Sequence, residues 1–130
     1  MIDDSIREFL QKPLLARMTT IDEEGYPHSV PVWFMLDGDD LIVSAWRSTR
    51  KVNHVTANPK GAITIGGDTD DGGGYLFKGD FTIVDDPDHG WINKMTYRYE
   101  EKEKAEKDIA EWADLDMIIL RMKPRKVLKV

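Results

Sequence analysis

The stretch LIVSAWRSTRKVNHVTANP, residues 41–59, decides the fold. Its first six residues are apolar apart from Ser44, a pattern that reads as a strand buried on both faces. From residue 48 the period changes: Val52 and Val55, with Ala57 nearby, fall on one side of a short helix, and Asn58-Pro59 ends it. Upstream, residues 14–20 and 28–36 flank the turn Asp22-Glu23-Glu24-Gly25, and Val30, Val32 and Phe34 alternate, so this segment reads as a β-hairpin. A second turn, Asp37-Gly38-Asp39-Asp40, leads into the strand at residues 41–46, the third in sequence. Ahead of all these, residues 3–10 form a helix capped by Asp3 or Asp4, with Ile6, Phe9 and Leu10 on one side and Pro13 as its stop.

Downstream, residues 62–65 form a fourth strand, and the Gly- and Asp-rich residues 66–74, which hold no core-forming side chain, form a flexible connection. Residues 75–84 are a long fifth strand interrupted by Gly79. Residues 88–112 are helical and heavily charged, with Trp91, Ile92, Met95, Ile109 and Trp112 as the buried side and a break around Tyr99. Residues 117–122 and 126–130 read as two closing strands around Pro124, which belongs at an edge or a bend. Seven short strands with irregularly placed helices do not alternate as βαβ units do. The expected class is mainly β with flanking helices: an antiparallel barrel that removes most exposed strand edges. No repeat or linker divides the chain, so residues 1–130 read as a single domain.

The chain has 130 residues, 41% hydrophobic and 32% charged, the balance of a soluble globular domain with one core. Its net charge of -6 opposes non-specific attraction to nucleic acid or anionic lipid, so neither is an expected partner. The absence of cysteine excludes disulfides, thiol nucleophiles and thiolate metal sites. The acidic start MIDDSIREFL lacks the features of an export signal, and no run of about eighteen apolar residues occurs, so the expected location is cytoplasmic.

Residues 45–51, Ala-Trp-Arg-Ser-Thr-Arg-Lys, lie where the third strand meets the helix. A helix start offers free backbone amides and the positive end of its dipole. Arg47, Arg50 and Lys51 add three cations that oppose this dipole, a conflict that a bound anion would resolve. Ser48 or Thr49 supplies a hydroxyl that can cap the helix or donate to a phosphate oxygen. The alternative is an ordinary capped surface helix with solvated basic residues. In Val30-Pro31-Val32-Trp33-Phe34, a proline inside an apolar strand implies an edge or a distortion where backbone groups are free to face the polar rim of a planar ring. The competing reading makes Trp33 and Phe34 core or dimer-interface residues.

Together these stretches resemble the pyridoxamine phosphate oxidase-like flavin-binding split-barrel superfamily, particularly its small flavin or deazaflavin oxidoreductase branch. The resemblance runs through residues 14–20, Gly25-Tyr26-Pro27-His28, residues 30–34, Ser48-Thr49-Arg50-Lys51-Val52-Asn53 and Asn58-Pro59-Lys60. It continues more weakly through residues 75–84 and 122–127. It implies a split β-barrel, a homodimer with FMN sites at the subunit interface, and hydride transfer between bound flavin and a small organic substrate. Carried over, Thr49, Arg50 and Lys51 hold the cofactor phosphate, with Arg47 as local compensation and Ser44 and Trp46 nearby on the preceding strand. The backbone of Pro31, Val32 and Trp33 faces the polar edge of the ring, and Tyr75 contributes from the start of strand five. The enzyme that names the superfamily has extra strand-two cations and a C-terminal Arg and His segment. Here strand two offers Ser29 and Phe34 and the sequence given stops at Val130, so the resemblance does not extend to oxidation of pyridoxamine phosphate.

Two alternatives stand beside FMN turnover: a deazaflavin-dependent reductase, whose longer anionic cofactor favours a basic groove of Arg17, Arg47, Arg50, Lys51 and Lys60, and a module that stores, carries or senses flavin. A haem-binding split barrel requires an axial ligand, and no histidine stands out for it. His28, His54 and His89 are widely separated, so no catalytic side chain is assigned. Asp68, Asp70 and Asp71 lack the complete calcium-loop pattern and read as a solvated turn, so no metal is expected. The alternating charges of residues 97–104 read as a solvated helix face.

Overall fold

The computed structural model describes residues 2–130. Among these the element order is α1 (Asp4–Phe9), β1 (Ala16–Ile21), β2 (Pro27–Val32), β3 (Met35–Asp37), β4 (Asp40–Trp46), α2 (Arg50–Ala57), β5 (Lys60–Gly66), β6 (Gly74–Asp85), α3 (Gly90–Tyr99), α4 (Lys102–Glu111) and β7 (Met117–Lys129). A short 3-10 turn, Pro87–His89, precedes α3. All strands join one sheet in the order β2-β1-β5-β6-β7-β4-β3, and every pairing is antiparallel. Among the described residues no helix is long and apolar enough to cross a membrane.

The two edges of this sheet are β2 and β3, yet only Trp33 and Phe34 separate them in the chain. Three Cα steps span at most about 11 Å, so the sheet must curl until its edges meet. No ladder joins β2 to β3 among the described residues, which makes the result a split barrel of the expected mainly-β class. The interior is filled by alternate residues: Leu41, Val43 and Ala45 from β4, Ile118, Leu120 and Met122 from β7, and Phe77 and Phe81 from β6. The opposite parity of β4 and β7 faces outward, where Ile42 and Ile119 pack with Met95 of α3. The third predicted strand is thus buried on both faces, as its composition requires.

Three predicted strands are drawn differently. The reading of residues 28–36 as one strand is replaced by β2 and β3, because Trp33 and Phe34 cross the split and leave the ladder. The closing segments are one strand, β7, with Pro124 opposite Gly79 at a register shift of the β6–β7 ladder. Such a bulge tolerates a residue with no N–H. Glycine is required at its partner position, since a Cβ on Gly79 would stand 2.9 Å from the Lys123 carbonyl oxygen. The helical region breaks at Glu100 and Glu101, beside Tyr99 as expected. Of its predicted buried side, Ile92 and Met95 are buried and Trp91, Ile109 and Trp112 are half-buried, while Ala105 is the buried residue of α4.

Tyr99 closes the split. Its hydroxyl donates to the Leu14 carbonyl (2.7 Å) and accepts the Phe34 N–H (3.3 Å) that the missing ladder would otherwise leave free. Burial pushes the phenol above its ordinary pKa, which keeps the donor proton in place. The neighbouring Arg98 donates to the carbonyls of Leu10, Gln11 and Lys12 just beyond α1, a cation at the negative end of a helix, and lies 5.2 Å from the Phe34 ring centroid. The last turn of α3 therefore fastens both α1 and the barrel gap. Tyr99→Phe is expected to destabilise the fold by about 1–3 kcal/mol, because a partly buried N–H and C=O lose their partner. Urea denaturation measures this, and an unchanged midpoint would contradict it.

Candidate functional site

A cavity of about 270 Å³ opens on the outer surface of the barrel beside the split. One wall is the outward parity of β4: Ser44 and Trp46 face out where Val43 and Ala45 face in. Met117, the cross-strand partner of Trp46 on β7, continues this wall. The second wall is Pro31, Val32 and Trp33, where β2 runs into the split. Phe34 is fully buried in the core, so strand alternation turns Trp33 the other way, against Tyr99 with ring centroids 5.1 Å apart and planes within 4°. Ile92 and Met95 of α3 and Trp112 at the end of α4 cover the far side, with Trp112 6.3 Å from Trp33.

The position of α3 follows from a buried cap. The Asp86 carboxylate accepts the backbone N–H groups of Trp91 (2.9 Å) and Ile92 (3.0 Å), satisfying two of the free donors at the helix start. The chain reaches that cap through Asp88 and His89, both at positive φ (58° and 55°), and the His89 ring nitrogen lies 3.0 Å from the Leu115 carbonyl oxygen. Strained backbone is thus held in place by contacts on both sides.

Lys51, at the second position of α2, closes the cavity at its polar end and is the charged residue of its lining. It is half-buried and has no hydrogen-bond or ion-pair partner among the described residues. Desolvation accordingly lowers its pKa below the ordinary lysine value. Thr49 precedes α2 in an extended conformation, but its hydroxyl donates to the Trp46 carbonyl (2.9 Å) and leaves the first-turn amides without a side-chain cap. The helix itself is pinned to β1 by buried His54, whose Nδ1 lies 2.9 Å from the buried Thr20 hydroxyl.

Of the predicted site residues, Pro31, Val32, Trp33, Ser44, Trp46 and Lys51 share this cavity. Thr49 and Arg50 adjoin it at the helix start, Arg50 exposed to solvent. Arg47 points elsewhere: its guanidinium bonds Asp116 (2.7 Å) and Asp85 (2.5 Å), which hold its pKa above the ordinary value. Those carboxylates therefore answer much of the charge conflict that the sequence reading assigned to a ligand. Tyr75 lies outside the cavity, packed edge-on to Phe9 with ring centroids 5.3 Å apart. The ladders place it three strands across the sheet from Val32, through Ala16 and Ile65, or about 14 Å.

Ile92, Met95, Trp112 and Met117 were not predicted as site residues. The first three carried a signal, since helical periodicity gave them a buried side, but periodicity does not say whether that side meets core or cavity. Met117 depended on the β4–β7 register. None of the three histidines lines the cavity, and no cluster of three or more His, Asp or Glu suited to a metal ion occurs among the described residues.

The pyridoxamine 5'-phosphate oxidase family model matches residues 2–130. Among solved structures, a protein named F420 reductase is 22% identical, with 94% of each chain covered and a TM-score of 0.75. General Stress Protein 26 from Bacillus anthracis is 15% identical over 98% of this chain and 92% of its own, TM-score 0.72. HutZ, the haem storage protein from Vibrio cholerae, is 18% identical over 98% and 93%, TM-score 0.71. No curated protein matches. At these identities the structures share the fold, while their names differ. Asp86→Ala, which uncaps the helix over the cavity, is expected to lower unfolding free energy by about 1–2 kcal/mol; chemical denaturation that finds no loss would overturn this role.

Proposed function

This chain belongs to the pyridoxamine 5'-phosphate oxidase family, and from that premise we propose that it is an FMN-binding oxidoreductase acting as a homodimer. The observation that carries this reading is Lys51, an unpartnered ammonium at an uncapped helix start, on the rim of a cavity walled by Trp33, Trp46 and Trp112. The residues fit a planar ring bearing one anionic group. Arg50 and Lys51, with the free amides of α2, hold the phosphate; Thr49 fixes the preceding turn. The backbone at Pro31, Val32 and Trp33 meets the polar edge of the ring, and Ser44, whose hydroxyl makes only a weak 3.5 Å contact to the Met95 sulfur, remains able to donate to it. When bound, FMN supplies hydride transfer to or from a small organic substrate, and the chain supplies binding and orientation.

The cavity is open to solvent on one side, which favours turnover over storage. The longer deazaflavin is less well served. Arg17 stands 3.8 Å from Asp68 and Arg47 is held by two carboxylates, so the extended basic groove reduces to Arg50, Lys51 and Lys60. Haem finds no histidine on the cavity wall. Tyr75 lies outside the cavity of its own subunit, so any contribution it makes is to the partner's site.

Titration of the purified protein with FMN and with the deazaflavin, followed by visible absorption, tests the reading: saturable FMN binding supports it, and binding of neither by the folded chain overturns it. Arg50→Ala and Lys51→Ala are each expected to weaken FMN binding about tenfold or more, the loss of one charge-assisted contact. Because the Lys51 pKa is lowered, phosphate affinity is expected to decline with rising pH at values where an ordinary lysine still holds its charge. Lys51→Arg keeps its charge and removes that decline, and an equal pH profile in both proteins would remove Lys51 from the phosphate site.

A further inference from the structure

The setting of Lys51 suits a second kind of chemistry that needs no flavin. An ammonium is poorly placed here for three separate reasons. The positive end of the α2 dipole opposes its charge, apolar walls remove its water, and no carboxylate among the described residues approaches it. Arg47, also beside the helix start, has the opposite environment, with Asp85 and Asp116 on its guanidinium. Burial among these apolar walls lowers the Lys51 pKa. A neutral amine is a nucleophile, and lysines desolvated in apolar surroundings react with carbonyls.

The surrounding walls determine what would reach it. Trp33 is held rigid by its stack on Tyr99, Trp46 and Trp112 supply further aromatic surface, and Met95 and Met117 add polarizable thioethers. We propose that, in the cofactor-free protein, the Lys51 amine condenses reversibly with aromatic aldehydes held against the tryptophans of the cavity. The Nζ lone pair forms a bond to the carbonyl carbon, and the oxygen takes up a proton to give a carbinolamine. The nitrogen loses its protons as the hydroxyl leaves as water, and a C=N bond remains. No electron donor or acceptor is required. The open side of the cavity admits the water that reverses the step. Aliphatic aldehydes lack the stacking surface and gain a smaller preference for this site.

The test uses the folded chain without flavin, so its outcome is read independently of FMN binding. The protein is incubated near neutral pH with 2-naphthaldehyde, the imine is reduced with cyanoborohydride, and labelled peptides are located by mass spectrometry. Lys51 is expected to be labelled several-fold ahead of the other ten lysines, and this preference should vanish in urea and shrink with propanal as the aldehyde. Lys51→Arg, with its circular dichroism unchanged, should leave no favoured position. The proposal is overturned if folded and unfolded chains give the same label distribution, if exposed lysines react while Lys51 stays unlabelled, or if propanal shows the same preference as naphthaldehyde.

Discussion

Two residues tether the opposite edges of a seven-stranded sheet, and most of the molecule is arranged around that short connection. A tether of Trp33 and Phe34 cannot span an open sheet, so curvature is imposed by chain length before any side chain is considered. The edges meet without a ladder, which leaves backbone groups that must find partners elsewhere. Tyr99 provides one, and it does so from a helix that also grips the carbonyls beyond α1 through Arg98. Barrel closure and helix docking are consequently one event.

The same tether makes the cavity. Successive side chains on an extended chain point to opposite sides, so burial of Phe34 in the core obliges Trp33 to face the helices. Trp33 meets the outward residues of β4 there, and α3, positioned by the Asp86 cap, roofs the space. A strand that leads directly into α2 then brings Lys51 to the cavity wall. Each wall has its own structural reason to be where it is, and the helix cap and the aromatic stack limit how far the walls can shift.

The sequence made the elements legible wherever local chemistry determines them. Alternation of Val30, Val32 and Phe34, the double burial of residues 41–46, the period change into α2 and the break beside Tyr99 all follow from spacing and turn residues. Two boundaries did not. The gap between β2 and β3 is a property of the closed sheet, invisible in an apolar run, and the continuity of β7 through Pro124 depends on a bulge shared with Gly79 on another strand. At the site, Lys51 and the β4 residues were legible because strand and helix adjoin in sequence. The fate of Arg47 was not, since Asp85 and Asp116 reach it only through tertiary folding. Tyr75, a position suggested by resemblance, packs on Phe9 outside the cavity of its own chain, a placement that depends on the β1–β5–β6 ladders and not on local sequence.

The cavity is built on the outside of the barrel, and its lining is almost wholly distinct from the side chains that fill the interior. Val32 and Ala45 belong to both sets, while the helical contributions of Ile92, Met95 and Trp112 belong only to the outer one. The roof is nevertheless tied to stability, since Met95 packs on Ile42 and Ile119 and the same helix carries Tyr99 to the split. Change at little structural cost is therefore confined to the rim, where Trp46 and Trp112 line the cavity without belonging to a core cluster.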